Sequence, residues 1–175
     1  MARLAVPLAG SVPLDKLTER FGDEVAAFVL PALQAGLGSG VVWEREASIL
    51  ALGALRTGCS AGVEAHLPQL FPYLLEHMAH PNPKVREISC WTVGRYLGWV
   101  VATVVEQCGG EEVTADAPPV AALLQPVMEQ LLARIADGNK TVQQFACSSL
   151  AILFETCDEH GCSAAFLPPR LAPIL

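Results

Sequence analysis

Charged and aromatic side chains are both scarce in this 175-residue chain, at 17% and 6% of positions. Positive charge is the scarcer sign: eleven Lys and Arg stand against eighteen Asp and Glu, a net charge of −7. A chain of that sign gains nothing from neutralising phosphates, which argues against direct nucleic-acid binding and suits a basic protein or peptide partner. Long hydrophobic runs are missing too. None reaches the roughly 20 apolar residues a helix needs to cross a bilayer, so no membrane insertion is expected. The opening MARLAVPLAGSVPL is too short and too interrupted by proline for a signal peptide. Walker loop, GxSxG and HExxH patterns are all absent. No catalytic residue is nominated, and neither an enzyme activity nor a cofactor is expected.

Cysteine is present six times, at Cys59, Cys90, Cys108, Cys147, Cys157 and Cys162, without the spacing of a secreted disulfide framework. A reducing, intracellular setting follows. Cys90 and Cys147 share one helical register, where a free thiol behaves as a small buried apolar residue. Cys157, His160 and Cys162 offer three ligating groups in one turn. Their spacing fits no common structural zinc site and a fourth ligand is lacking, so no metal is expected.

What the chain does have is a period, together with enough apolar residues (52%) for a continuous core. VREISCWTVGRY, from Val85 to Tyr96, repeats EREASILALGAL, from Glu44 to Leu55, with Arg, Glu, Ser and Gly in register 41 positions apart. A third copy, VQQFACSSLAIL from Val142 to Leu153, matches Val85 and Cys90 at an offset of 57. A period near 40 residues in a helix-favouring chain predicts an all-α architecture, an α-solenoid of about three to four HEAT-type antiparallel helix pairs.

Each pair is expected to hold a first helix carrying a proline (Pro31, Pro72, Pro126), a tight turn, and a second helix. The turns are Gly38-Ser39-Gly40, Pro81-Asn82-Pro83 and Asp137-Gly138-Asn139, short enough to force the helices antiparallel. The pairs fall near residues 23–58, 66–105 and 119–157, with a fourth beginning at 164–175. Residues 1–13 are read as an irregular N-terminal segment preceding an array over 14–175. The polar, Gly- and Pro-rich 107–119 stretch reads as an exposed loop. Neither end has the polar outer face of a capping repeat, so a piece of a longer array is expected.

Helical spacing separates two stripes on the second helices. Val85, Ser89, Val93, Tyr96 and Val100 form one, and Val142, Ala146, Leu150 and Leu153 repeat it: this is the core stripe. Ile88, Trp91, Arg95 and Gly98 form another, roughly 150° away at 100° per residue. Its counterparts are Ala47, Leu50, Ala54 and Thr57 in the first pair and Phe145, Ser148, Ile152 and Glu155 in the third. Isoleucine, tryptophan and arginine together are the residue types of an interface anchor, although a lone Trp is more often a packing residue. Trp43 and Trp99 are read as packing residues. His66, His77 and His80 are read as capping or solvated groups.

The segments EREASILALGAL, HLPQLFPYLLEHM, VREISCWTVGRYLGWVV and GNKTVQQFACSSLAILFE carry a resemblance to HEAT-repeat nuclear import receptors of the importin-β superfamily, most closely its transportin branch. The likeness runs from about Leu14 to Leu175. It implies a non-catalytic receptor (karyopherin) segment whose concave face binds basic nuclear localisation signals of the Pro-Tyr type for protein import, shuttling between cytoplasm and nucleus. Carried over position by position, it implies a cargo-signal site of Trp91, Ile88, Arg95 and Leu50, with Glu155 facing a basic residue of the signal. The family's second acidic residue is replaced here by Phe154. Ran GTPase and nucleoporins would be partners only of the full-length receptor. The generic HEAT turn pairs an Asp with an Arg six residues on; here Asp137 meets Gln143, and His80 precedes Arg86, so a weaker ladder is expected. The alternative is a HEAT scaffold for protein-complex assembly with no transport role, which explains the period but not the tryptophan stripe with Glu155 in register.

Overall fold

The computed structural model describes residues 6–109 and 112–162. Among them there are helices and turns and no strand, so the fold is all-α and of the α-solenoid class. The chain divides into two compact units, one ending at Arg95 and the other beginning at Tyr96.

The first unit holds α1 (Val6–Phe21), α2 (Asp23–Leu37), α3 (Val42–Leu55), the single turn α4 (Ser60–Glu64), α5 (Leu67–His77) and α6 (Pro83–Arg95). Helices α2 and α3 pack as one pair and α5 and α6 as the next, while α3 also packs against both α1 and α6. Helix α1 is a correction to the expected irregular start: residues 6–13 are helical, with Pro13 inside the helix. Proline at 7 falls in the first turn, where its missing N–H has no helical acceptor to lose. The rest of α1 is held by contact. Gly58 lies so close to α1 that a Cβ there would stand 2.0 Å from the Thr18 carbonyl oxygen.

The second unit holds α7 (Leu97–Gln107), a π-helical turn (Val120–Leu124), α8 (Gln125–Ile135) and α9 (Lys140–Glu159). Helices α8 and α9 form the pair, and α7 packs on α9 and on the π turn. The π turn directly precedes Pro126, whose ring and missing N–H disfavour the regular i→i−4 ladder there. Between α7 and the π turn, residues 112–119 are mostly exposed. Val113 is the exception: it is buried. The start of a fourth pair at 164–175 lies outside the described residues.

The core stripe is where the periodicity placed it. Val85, Ser89, Val93 and Tyr96 are all fully buried, as are Val142, Ala146 and Leu153. Cys147 is not: it is exposed, while Cys90 is buried. The two share a register, but α6 is covered on nearly every side and α9 is not, so equal position along a helix does not give equal burial.

All three turns use one hydrogen-bonding device. The side chain of Ser39, His80 or Asp137 accepts the N–H two residues on (Val41 3.0 Å, Asn82 3.0 Å, Asn139 2.9 Å). The carbonyl of the same residue accepts from a side chain six residues on: Arg45 to Ser39 at 2.6 Å, Arg86 to His80 at 2.9 Å, Gln143 to Asp137 at 2.6 Å. The two acceptors sit at the helix entry, where backbone donors otherwise go unpaired. The Asp–Arg pattern is therefore degenerate because each of its two bonds has a backbone group, one N–H and one carbonyl, as a partner. A rung between pairs does exist in the first unit, Arg45 Nη1 to His80 Nε2 at 3.3 Å. His80 Nδ1 already accepts from Asn82, which leaves the proton of a neutral ring on Nε2, facing a donor. That rung is poor.

Candidate functional site

Trp91 is presented by α6 and lies half-buried against α3. Its ring is seated directly on Gly53: a Cβ at that position would come within 2.3 Å of Cζ3 and 2.9 Å of Cε3. The recurring glycine of the repeat thus has a physical reason in α3, where only a hydrogen side chain lets the indole approach the helix backbone.

One turn further along α6, Arg95 folds back over the indole, its guanidinium carbon 5.2 Å from the ring centroid. That is within cation–π range. The same guanidinium donates from Nε to the Gly53 carbonyl at 3.1 Å and from Nη2 to the Asp15 carboxylate at 2.8 Å and to the Thr57 hydroxyl. Thr57 in turn donates to Asp15 at 3.1 Å. Three helices therefore meet at Trp91: α6 supplies the ring and the cation, α3 the glycine seat, and α1 the counter-charge. The Arg95–Asp15 pair is 28% and 22% exposed, so its Coulombic contribution is partly screened. Its value here is geometric, in fixing the arginine beside the indole.

The residues nominated from sequence fall in different settings. Trp91 and Arg95 are brought together. Ile88 is buried at 2% exposure, and Leu50 is half-buried on α3. Glu155 is exposed on α9 in the second unit, next to an exposed Phe154. Asp15 was missed, and no local signal marks it: it stands 80 residues from Arg95, on a helix outside the three recognised helix pairs. Trp43 corrects another reading. It does not pack; it is 73% exposed on α3. Trp99 is half-buried.

His77 and His80 are neither ligands nor simply solvated. Tyr73 and His77 stack with centroids 3.8 Å apart, and His80 stacks on His77 at 5.7 Å. Burial lowers the His77 pKa, opposed by its hydrogen bond to the Tyr73 carbonyl. His66 stands at the start of α5 without making a side-chain cap. Cys157 and Cys162 belong to a helix stop. Gly161 adopts φ 67°, Cys162 N–H bonds the Cys157 carbonyl at 2.8 Å and Gly161 N–H bonds Asp158 at 3.1 Å, the paired bonds of a Schellman motif. Burial raises the pKa of both thiols. No group of three or more His, Cys, Asp or Glu side chains among the described residues is arranged to hold a metal ion. No single described helix is long and apolar enough to cross a membrane.

A family model described as a HEAT-like repeat matches residues 42–96, the stretch that contains Gly53, Trp91 and Arg95. Over 162 residues, 93% of this chain, the sequence is 37% identical to "Transportin-1" of Homo sapiens and to that of Mus musculus. It is 35% identical over 162 residues to "Importin subunit beta-2" of Schizosaccharomyces pombe, again covering 93% of the chain. The chain is transportin-like, of the importin-β superfamily. It spans 16% of the length of each of these relatives. Within that span, the transportin-like chain carries the indole, its glycine seat and its arginine in one unit.

Proposed function

We propose that this chain is a segment of a nuclear transport receptor that binds Pro-Tyr-type localisation signals through the Trp91 face, in a protein that shuttles between cytoplasm and nucleus. The observation that carries the reading is the held Trp91: an indole clamped between Gly53 and Arg95 cannot rotate away, and keeps part of its surface open. A pre-positioned aromatic side chain costs little entropy on binding, and so does an extended, proline-containing peptide. The Pro-Tyr end would lie against the open part of Trp91, with Leu50 as the adjoining apolar wall and Ile88 filling the space within. Arg95 has its donors directed at Gly53, Thr57 and Asp15, so its contribution is to orient the indole and to present Asp15 as part of the same surface. The second unit, taken by itself, offers Glu155 as an exposed carboxylate suited to a basic side chain, in keeping with the chain's net charge of −7. Ran GTPase and nucleoporins are partners of the longer receptor.

The test is fluorescence anisotropy with a labelled basic Pro-Tyr peptide. Trp91→Ala is expected to weaken binding by more than about 1 kcal/mol, and Trp91→Phe by less. Equal affinity for wild type and Trp91→Ala would overturn the reading. No binding by a folded chain would leave the HEAT scaffold.

A further inference from the structure

The repeat offset of 41 residues superposes three positions of α3 on three of α6: Trp43 on Lys84, Glu46 on Glu87, and Leu50 on Trp91. In each helix these lie at i, i+3 and i+7, within about 60° of one another on a single face. In α6 the carboxylate has its own cation, Lys84 Nζ to Glu87 Oε2 at 3.2 Å, and Glu87 is 2% exposed. In α3 that cation is missing, because an indole stands in its place. Trp43 is 73% exposed and Glu46 half-exposed, and Glu46 makes no hydrogen bond or ion pair among the described residues. The neighbouring Arg45 does not neutralise it, being committed to the Ser39 carbonyl and to His80. Glu44 is turned to the Ser39 hydroxyl at 2.5 Å.

An open indole with an unpaired carboxylate one helical turn away is the combination that takes an ammonium or guanidinium group: the ring face supplies cation–π attraction and the carboxylate the charge. We propose that Trp43 and Glu46 form a cation subsite on α3 that receives a lysine or arginine side chain of an extended peptide. The ligand's cation fills the role that Lys84 plays within α6. Leu50 joins this subsite to the Trp91 face. Seven residues of helix place Trp43 about 10 Å from Leu50, the span of three residues of extended chain. The inference rests on the peptide-binding reading of Trp91 and extends it by locating a basic-residue contact within the first unit, separate from Glu155.

The experiment compares two labelled peptides, a basic Pro-Tyr peptide and the same peptide with its Lys and Arg replaced by Gln, on wild type, Trp43→Ala, Glu46→Gln and Trp91→Ala. Both α3 changes are at surface positions, and circular dichroism confirms the fold. Trp43→Ala and Glu46→Gln are each expected to weaken the basic peptide by about two- to fivefold and to leave the neutral one unchanged. Trp91→Ala is expected to weaken both. Wild-type affinity of both α3 variants for the basic peptide, with Trp91→Ala still impaired, would overturn the subsite and leave the Trp91 reading standing. Loss in the α3 variants with none in Trp91→Ala would support the subsite and overturn the Trp91 reading. Absence of any binding to wild type would overturn both.

Discussion

Replacing Gly53 by alanine is the sharpest probe of how Trp91 is held. The added Cβ would stand 2.3 Å from the Trp91 ring and 2.8 Å from the Thr92 hydroxyl oxygen. Ordinary carbon–carbon contact is about 3.7 Å, so the indole must retreat by about 1.4 Å or the helices must separate. Overpacking of this kind costs about 1–3 kcal/mol. Against it stands the helix preference of alanine over glycine, worth up to about 1 kcal/mol. The overpacking is the larger, and Gly53→Ala is expected to lose about 1–2 kcal/mol in urea denaturation. The retreat would also carry the ring away from Arg95, whose Nε holds the Gly53 carbonyl at 3.1 Å. Tryptophan emission should therefore shift, and a Pro-Tyr peptide should bind more weakly although no peptide contact has been deleted. A gain in stability near the full alanine preference, with unchanged emission, would refute the seating of Trp91 on Gly53.

Three further outcomes are expected. Gly58→Ala puts its Cβ 2.0 Å from the Thr18 carbonyl oxygen, a backbone atom that cannot swing aside, and should destabilise by about 2 kcal/mol or more; Gly40→Ala meets nothing within 4 Å and should be near neutral in the same denaturation series. His80→Asp replaces a mismatched rung by a carboxylate able to accept from both Arg45 and the Asn82 N–H, as Asp137 accepts from Asn139, and should raise stability by about 0.5–1 kcal/mol; a lower midpoint would show that stacking on His77 matters more. Burial lowers the His77 pKa in the fold, so the unfolded chain binds its proton more readily: stability is full above pH 6.5 and falls as pH drops below that unfolded value, and His77→Gln should flatten this part of the pH profile.

How much of this was legible in the sequence depends on the reach of each interaction. The repeat, the three turns and the buried stripe through Val85, Val93 and Tyr96 could be read directly, because helical periodicity is local and the apolar face repeats with it. Family membership was legible in the ISCWTVGRY stretch for the same reason, as a run of neighbouring residues. The turn pattern was read through its side-chain pair and so judged weak, whereas in each of its two hydrogen bonds one partner is a backbone group. The start of α1 was read as irregular because its residues match no helix of the repeat pattern, and the packing of α1 on α3 that holds the helix cannot be seen in the sequence.

What the sequence determined alone was which side of the second helices turns inward and where the three tight turns fall. The end of α6 at Arg95, inside a helix expected to run on through Val100, was not anticipated. Only the tertiary structure decided which helices lie beside which. That is why Gly53 could be seen to recur but not to seat Trp91 across a gap of 38 residues. It is also why Asp15 reaches Arg95 unannounced, and why Cys90 is buried while Cys147 in the same register is exposed. Trp43 shows the limit most plainly. It was read as a packing residue next to a turn, but its exposure on α3 depends on the surrounding helices, which the local pattern does not encode.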